Sequence, residues 1–92
     1  MNLQLFKGKS ILVTGGTGSF GSHFIRRILR DADPRRVIVY SRDELKQFEL
    51  EHKLQNEKMR FFLGDVRDKD RLLVAMRDVN IVVHTAALKQ VP

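Results

Sequence analysis

Apolar positions along this chain alternate between two periods. Ser10-Ile11-Leu12-Val13-Thr14 is short, β-branched and nearly all apolar, as a strand buried on both faces is. Phe20, Phe24, Ile25, Ile28 and Leu29 then recur at helical spacing, with Arg26, Arg27 and Arg30 on the other side. That helix is expected to end near Asp31, before Asp33-Pro34, because proline biases its predecessor away from helix. Val37 to Tyr40 reads as a second strand. Ser41-Arg42-Asp43-Glu44 reads as a capping box, Ser first and Glu three residues on. It opens a helix running to about Asn56, with Leu45, Phe48 and Leu54 inward. Met59 to Leu63 is a third strand, turned by Gly64 and Asp65. Asp68 is placed to cap a third helix, with Leu72, Ala75, Met76 and Val79 on one stripe. Asn80 ends that helix, and Ile81 to His84 is a fourth strand.

The order is therefore β-α-β-α-β-α-β with short connections. This predicts an α/β fold, a parallel sheet covered by helices with strand order 3-2-1-4, the first part of a doubly wound sheet. The fourth strand would be an uncovered apolar edge, a liability in an isolated domain. The expectation is an incomplete domain over 1–92, or one that needs a partner.

The stretch Thr14 to Ser22, TGGTGSFGS, carries the first candidate chemistry. Gly16, Gly18 and Gly21 satisfy G-x-G-x-x-G directly after a strand and at the start of a helix, the context of a dinucleotide cradle. On this reading Gly16 permits the tight turn, Gly18 lets a pyrophosphate approach the backbone, and Gly21 lets helix and strand pack closely. Free N–H groups from Ser19 to Gly21 would meet the anion, and the Ser19 hydroxyl can add a donor. No Gly-Lys-Ser/Thr follows, so the loop is not read as a P-loop. The alternative is a glycine-rich turn without a ligand.

The residues after the second strand choose the cofactor. An acidic side chain there suits the ribose of NAD, and an arginine suits the 2′-phosphate of NADP. The chain has Tyr40-Ser41-Arg42. Arg42 can pair with a phosphate and Ser41 can donate beside it, which favours NADP over NAD. Asp43 and Glu44 fall in the first helical turn, where capping explains them. Lys46 lies one turn further on. Arg42 and Lys46 could equally be solvated surface cations. Asp65 could accept from the adenine amino group with the Val66 N–H donating to the ring, or serve its own turn. Small residues Ala86 and Ala87 at the end of the fourth strand leave room for a cofactor over the sheet edge, and Lys89 stands where nicotinamide and substrate would meet, or is a solvated loop lysine. His84 reads as a satisfied, half-buried strand histidine. His23 and His52 read as surface positions.

Composition narrows the classes. The net charge is +6, from 17 Lys and Arg against 11 Asp and Glu. The cations are spread from Lys7 to Lys89 among the acids, without the basic block of a nucleic-acid binder, and no nucleic-acid partner is expected. No apolar run approaches the ~20 residues that cross a membrane, and no leader is evident at the start. There is no cysteine, which removes disulfides and thiolate metal sites and suits a cytoplasmic chain. With no paired ligands at useful spacing, no metal is expected.

Thr14-Gly15-x-x-Gly18-x-x-Gly21 resembles the fingerprint of the extended short-chain dehydrogenase/reductases. Four narrower strings, "GGTGSFG", "SRDELKQFE", "GDVRDKDRL" with "AMRDV", and "HTAALKQVP", resemble the N-terminal part of the inverting UDP-N-acetylglucosamine 4,6-dehydratases, within the polysaccharide-biosynthesis dehydratases. The resemblance implies a Rossmann-type domain holding NADP, a UDP-sugar substrate, and a homo-oligomer at full length. It implies oxidation at C4 of the hexose, loss of water across C5–C6, hydride return to C6 and inversion at C5, feeding surface-polysaccharide or flagellin-glycan sugars. The implied cofactor contacts are Gly15, Thr17 to Phe20, Gly21, Ser41 to Lys46, Asp65, Val66, Ala86, Ala87 and Lys89, with Lys89 also at the substrate. Thr85 departs from the expected alanine and adds a hydroxyl. The family's Tyr-x-x-x-Lys pair is absent, since Tyr40 is the one tyrosine and Glu44 stands four residues on. The implication is that these residues are the cofactor-binding part of the enzyme and do not turn over substrate on their own. The rivals are a non-catalytic nucleotide-binding module and a related epimerase or reductase; "SRDELKQ" and "ALKQVP" argue against the last.

Overall fold

The computed structural model describes residues 2–85. A short 3-10 helix, Leu3–Phe6, precedes β1 (Ser10–Thr14), α1 (Ser19–Asp31), β2 (Arg36–Ser41), α2 (Glu44–Leu54), β3 (Met59–Leu63), α3 (Lys69–Ala75) and β4 (Ile81–His84). The four strands form one parallel sheet in the order β3-β2-β1-β4, as the alternation of elements predicts. Thr14 pairs with Tyr40 on one side and His84 on the other, and Tyr40 pairs with Phe62. The carboxyl ends of all four strands therefore lie along one edge.

Strand side chains alternate between two cores. Ile11, Val13, Val37 and Val39 pack with Phe24, Ile25 and Ile28 of α1 and Leu50 of α2. Leu12, Ile38 and Tyr40 face Ala75 on α3, flanked by Leu72, Met76 and Val79. β1 is buried along its whole length, which is why its sequence shows no polar alternation. Phe6 stacks edge-on against Phe24 at 5.6 Å, so the 3-10 helix closes the end of the first core. No periodicity announced that element.

Four expectations are corrected. Ser41 does not cap α2; it is the buried last residue of β2, and Asp43 is the cap, its carboxylate accepting from the Lys46 N–H at 3.0 Å. Leu45 and Phe48 do not face inward; they are 66% and 64% exposed, and Gln47 and Leu50 are buried instead. At about 100° per residue, Leu45 and Leu54 lie on opposite sides of a helix, so the three leucine and phenylalanine positions never shared a face. Gln47 tolerates burial because its Nε2 donates to the Ser41 hydroxyl, the Ser41 carbonyl and the Phe62 carbonyl. Phe20 is not packed in the α1 stripe but exposed in its first turn. Asn80 does not end α3, which stops at Ala75 before a left-handed Asp78. Asn80 instead clamps β4 to β1, accepting from the Ser10 N–H and donating to the Ser10 carbonyl, both at 2.9 Å.

Candidate functional site

The edge formed by the carboxyl ends of the strands opens into a cleft of about 470 Å³. Its floor is the β1–α1 loop, at Gly15, Thr17 and Gly18. One wall is the end of β2 and the start of α2, at Tyr40, Ser41, Arg42, Asp43 and Lys46. The other is the loop after β3, from Gly64 to Arg67.

The glycines divide their work differently from the expectation. Gly15, not Gly16, makes the turn: its φ is +69°, and its N–H donates to the Tyr40 carbonyl. Gly16 is a packing position, since a Cβ there would lie 2.9 Å from Ile25 and 3.0 Å from Val39. At Gly21 a Cβ would lie 2.5 Å from the Gly15 carbonyl oxygen and 2.7 Å from the Gly16 Cα, so Gly21 sets the close approach of α1. Gly18 differs from all of these. Its φ is −74°, and a Cβ there would meet nothing closer than 3.5 Å. Nothing within the described chain requires glycine at that point. Gly18 caps α1 without a side chain, and the first three N–H groups of the helix, of Ser19, Phe20 and Gly21, have no acceptor within it.

On the first wall, Ser41 is buried, and its oxygen accepts from Gln47 Nε2 at 2.9 Å. Among the described residues no acceptor takes its own proton. Arg42 extends outward with its side chain 71% exposed. The Asp43 carboxylate is committed to its cap, and Lys46 is exposed beside it. Glu44 lies in the first turn of α2 but does not line the cleft.

The opposite wall is built around Asp65. Its carbonyl accepts from the buried Tyr40 hydroxyl at 2.9 Å and from the Asp68 N–H at 3.0 Å. Its Oδ1 accepts from the Arg67 N–H at 2.8 Å. The Arg67 guanidinium lies along the carboxylate, Nη2 to Oδ2 at 2.8 Å and Nε to Oδ1 at 3.2 Å, and Arg42 Nη1 reaches Oδ2 at 3.5 Å. The hydrogen bonds from Arg67, aided by the Arg42 charge, hold the Asp65 carboxyl far below the usual carboxylate range. Burial pushes the Tyr40 phenol above its ordinary value. Arg67 was missed by sequence reasoning; the signal was the Asp-x-Arg spacing at Asp65-Val66-Arg67, which closes an aspartate turn.

The structure thus gathers Gly15, Thr17, Gly18, Ser41, Arg42, Asp43, Lys46, Asp65 and Val66 around one cleft, with the α1 N-terminus at its base. Ala86, Ala87 and Lys89 lie outside the described residues. His84 is exposed rather than half-buried, though its Nδ1 meets the Thr14 hydroxyl at 2.5 Å. The Thr85 hydroxyl donates to the Thr14 carbonyl and stands against Gly21, so it serves the strand–helix junction. Among the described residues no helix is long and apolar enough to cross a membrane, and no group of three or more His, Asp or Glu side chains gathers as a metal site.

A parallel sheet in this order, with a glycine loop opening α1 beneath the cleft, defines the Rossmann-type nucleotide-binding class. Residues 11–92 match the polysaccharide biosynthesis protein family, and the chain belongs to it. It is 57% identical over 88 residues to a UDP-N-acetylglucosamine 4,6-dehydratase (inverting) of Campylobacter jejuni, covering 96% of this chain and 26% of that protein. It is 45% identical over 91 residues to a UDP-glucose 4-epimerase of Rickettsia bellii, covering 96% of this chain and 27% of that one. The solved structure of Pen from Bacillus thuringiensis superposes with a TM-score of 0.85 at 38% identity, over 94% of this chain and 26% of that one. The chain spans about a quarter of the length of the relatives it matches.

Proposed function

We propose that residues 1–92 are the NADP-binding part of a UDP-N-acetylglucosamine 4,6-dehydratase. The observation that carries the cofactor reading is Gly18. It is the one glycine of the loop that no neighbouring atom and no positive φ explains, and it sits where a pyrophosphate would touch the backbone. The Ser19 to Gly21 N–H groups and the dipole of α1 would hold that anion. Ser41 and Arg42 would take the 2′-phosphate, with Lys46 beside them. Glu44 and Asp43 border that subsite, Thr17 and Phe20 border the pyrophosphate, and Asp65 and Val66 stand on the adenine side. Ala86, Ala87 and Lys89 belong to the nicotinamide and substrate side by family resemblance.

NADP, when bound, supplies a reversible hydride store for oxidation at C4 of the hexose, elimination of water across C5–C6 and reduction at C6 with C5 inverted. The described residues hold and orient that cofactor. Tyr40 is not a proton donor for the chemistry, because its hydroxyl is buried and given to the Asp65 carbonyl. The 57% identity to the Campylobacter dehydratase supports the choice of activity. The place proposed for the protein is cytoplasmic nucleotide-sugar metabolism, as a homo-oligomer.

The test is calorimetric titration of the chain with NADP and with NAD. NADP is expected to bind about tenfold or more tighter, the worth of a charge-assisted contact, and Arg42→Ala should erase that margin while leaving NAD unchanged. Equal affinities in the unaltered chain would overturn the 2′-phosphate assignment. The match to the Rickettsia epimerases favours a second reading, C4 epimerisation on the same scaffold. Mass spectrometry of the product of the full-length protein separates them: the dehydratase product has lost one water, and the epimerase product is isobaric with its substrate.

A further inference from the structure

Gln47 is buried behind the first wall of the cleft and does not line it. Two carbonyl oxygens, of Ser41 and Phe62, face the end of its side chain at 3.3 and 3.1 Å. Carbonyls only accept, so the NH2 end of the amide is the end that meets them. The same nitrogen lies 2.9 Å from the Ser41 hydroxyl oxygen. One amide proton serves the Phe62 carbonyl and the other serves Ser41, where the hydroxyl oxygen is nearer than the carbonyl. The Ser41 carbonyl has a closer donor of its own, the Gly64 N–H at 2.8 Å. The Ser41 hydroxyl is therefore an acceptor toward the interior, and its single proton points away from Gln47. Ser41 is buried, yet it lines the cleft with Arg42 and Lys46.

The neighbours of that proton say what it suits. The Arg42 side chain is 71% exposed, and Lys46 is exposed beside it. A hydroxyl donor flanked by two cations fits a phosphate, which only accepts. A ribose hydroxyl both donates and accepts, so it is served by a serine turned either way. We propose that Gln47 is a positioning residue for the preference between the two dinucleotides: by donating to Ser41 it fixes that hydroxyl as a donor to the 2′-phosphate. This rests on the NADP reading above and adds to it a residue that touches no part of the ligand. The bond from Gln47 also polarises the Ser41 hydroxyl and strengthens it as a donor. Without the amide, the hydroxyl is free to turn its proton toward the interior, and a phosphate has to turn it back. NAD has no phosphate there and loses nothing by that rotation.

The experiment is titration of the unaltered chain, Gln47→Met, Ser41→Ala and the double variant with NADP and NAD, each checked for folding by thermal melting. Methionine fills a similar volume without a donor. Gln47→Met should lower the ratio of NADP to NAD affinity about three- to fivefold, the effect of one hydrogen bond, and leave NAD itself within about twofold. Ser41→Ala should lower the ratio at least as far, and adding Gln47→Met to it should lower it no further. A loss equal for both dinucleotides would make Gln47 a brace of the fold alone and overturn the proposal. So would an unchanged ratio, or losses that add in the double variant. A second measurement needs no substitution and stands even if Gln47→Met does not fold: the side-chain amide signal of Gln47 in the isotope-labelled, unaltered chain, followed by NMR. It should shift on adding NADP and hold its place with NAD, because only the phosphate draws on the Ser41 proton. Equal shifts with both ligands, or none with NADP, would count against Gln47. If the unaltered chain binds NADP and NAD equally, the 2′-phosphate reading falls and this one with it; a preference for NADP that survives Gln47→Met sinks this one alone.

Discussion

Alanine at Gly18 and alanine at Gly21 should separate binding from folding. At Gly21 the new methyl would sit 2.5 Å from the Gly15 oxygen and 2.7 Å from the Gly16 Cα. Both are backbone atoms of a turn fixed by the Gly15 N–H bond to Tyr40, and no side chain can swing away to relieve the contact. Restoring ordinary contact needs α1 to move by about 0.9 Å, against a core in which Ile25 and Ile28 are fully buried. Overpacking of this kind costs about 3 kcal/mol. The better helix propensity of alanine returns about 1, leaving a loss of about 2 kcal/mol. At Gly18 the nearest atom is 3.5 Å away. There alanine is the poorer cap by about 0.5–1 kcal/mol, and the less flexible unfolded chain returns about 0.4–1. The net is within about 0.5 kcal/mol of zero, yet on the proposed cradle reading the methyl would fill the place of the approaching pyrophosphate. Urea unfolding of both variants, with NADP titration of the folded one, makes the comparison. Gly18→Ala should unfold with the unaltered chain and bind NADP at least tenfold more weakly, a loss of about 1.4 kcal/mol. Normal binding by Gly18→Ala would refute the cradle reading; normal stability of Gly21→Ala would refute the packing argument.

Tyr40→Phe removes a buried hydrogen bond at 2.9 Å, but the Asp65 carbonyl keeps its bond from Asp68, so urea unfolding near neutrality should show a loss of about 1 kcal/mol. Because burial raises the Tyr40 phenol, its contribution is whole below the unfolded value of about 10 and is lost as pH rises through the higher folded one; the phenylalanine variant should show a shallower alkaline limb. The Asp65 carboxyl is shifted the other way. Its contribution is present above the unfolded value of about 3.9 and disappears as pH falls through the lower folded one, so Asp65→Asn should flatten the acid limb in thermal melts at graded pH. Leu50→Ala should destabilise by about 2–5 kcal/mol, whereas Leu45→Gln and Phe48→Gln should each stay within about 0.5; equal costs by urea unfolding would overturn the orientation of α2.

How legible the fold was depended on how many faces each element buries. β1 and β2 are covered on both sides, so their sequences are nearly continuous apolar runs, and their bounds read off within a residue or two. α1 has one broad apolar stripe against charged residues and was equally plain. α2 was misread because its inner face is held partly by Gln47. A pattern reader scores glutamine as polar and turns the helix toward Leu45 and Phe48. The error has a physical cause: hydropathy records the cost of burying an amide in an apolar medium, and here three oxygens at the ends of β2 and β3 offset that cost. The same strand ends supply the acceptors and the cleft.

The candidate site divided along a similar line. Residues that reach the cleft from the ends of β1 and β2, such as the glycine loop and Arg42, were visible as types at a spacing. Which glycine did which work was not, because a glycine carries no side chain to pattern; a positive φ separates Gly15 from Gly18, and the atoms that a Cβ would strike separate Gly16 and Gly21 from it. Arg67 was invisible for the complementary reason. One exposed arginine among seventeen basic residues has no distinguishing environment in sequence, and its place at the cleft arises from an aspartate turn and a buried tyrosine twenty-five residues before Asp65. Tyr40 joins these observations. Its sequence context already excluded it from the Tyr-x-x-x-Lys role, and the fold uses its hydroxyl to hold the carbonyl of Asp65, on whose carboxylate both arginines converge. The chain's one tyrosine is thus scaffolding. The position with the strongest case for ligand contact is Gly18, which has no side chain at all.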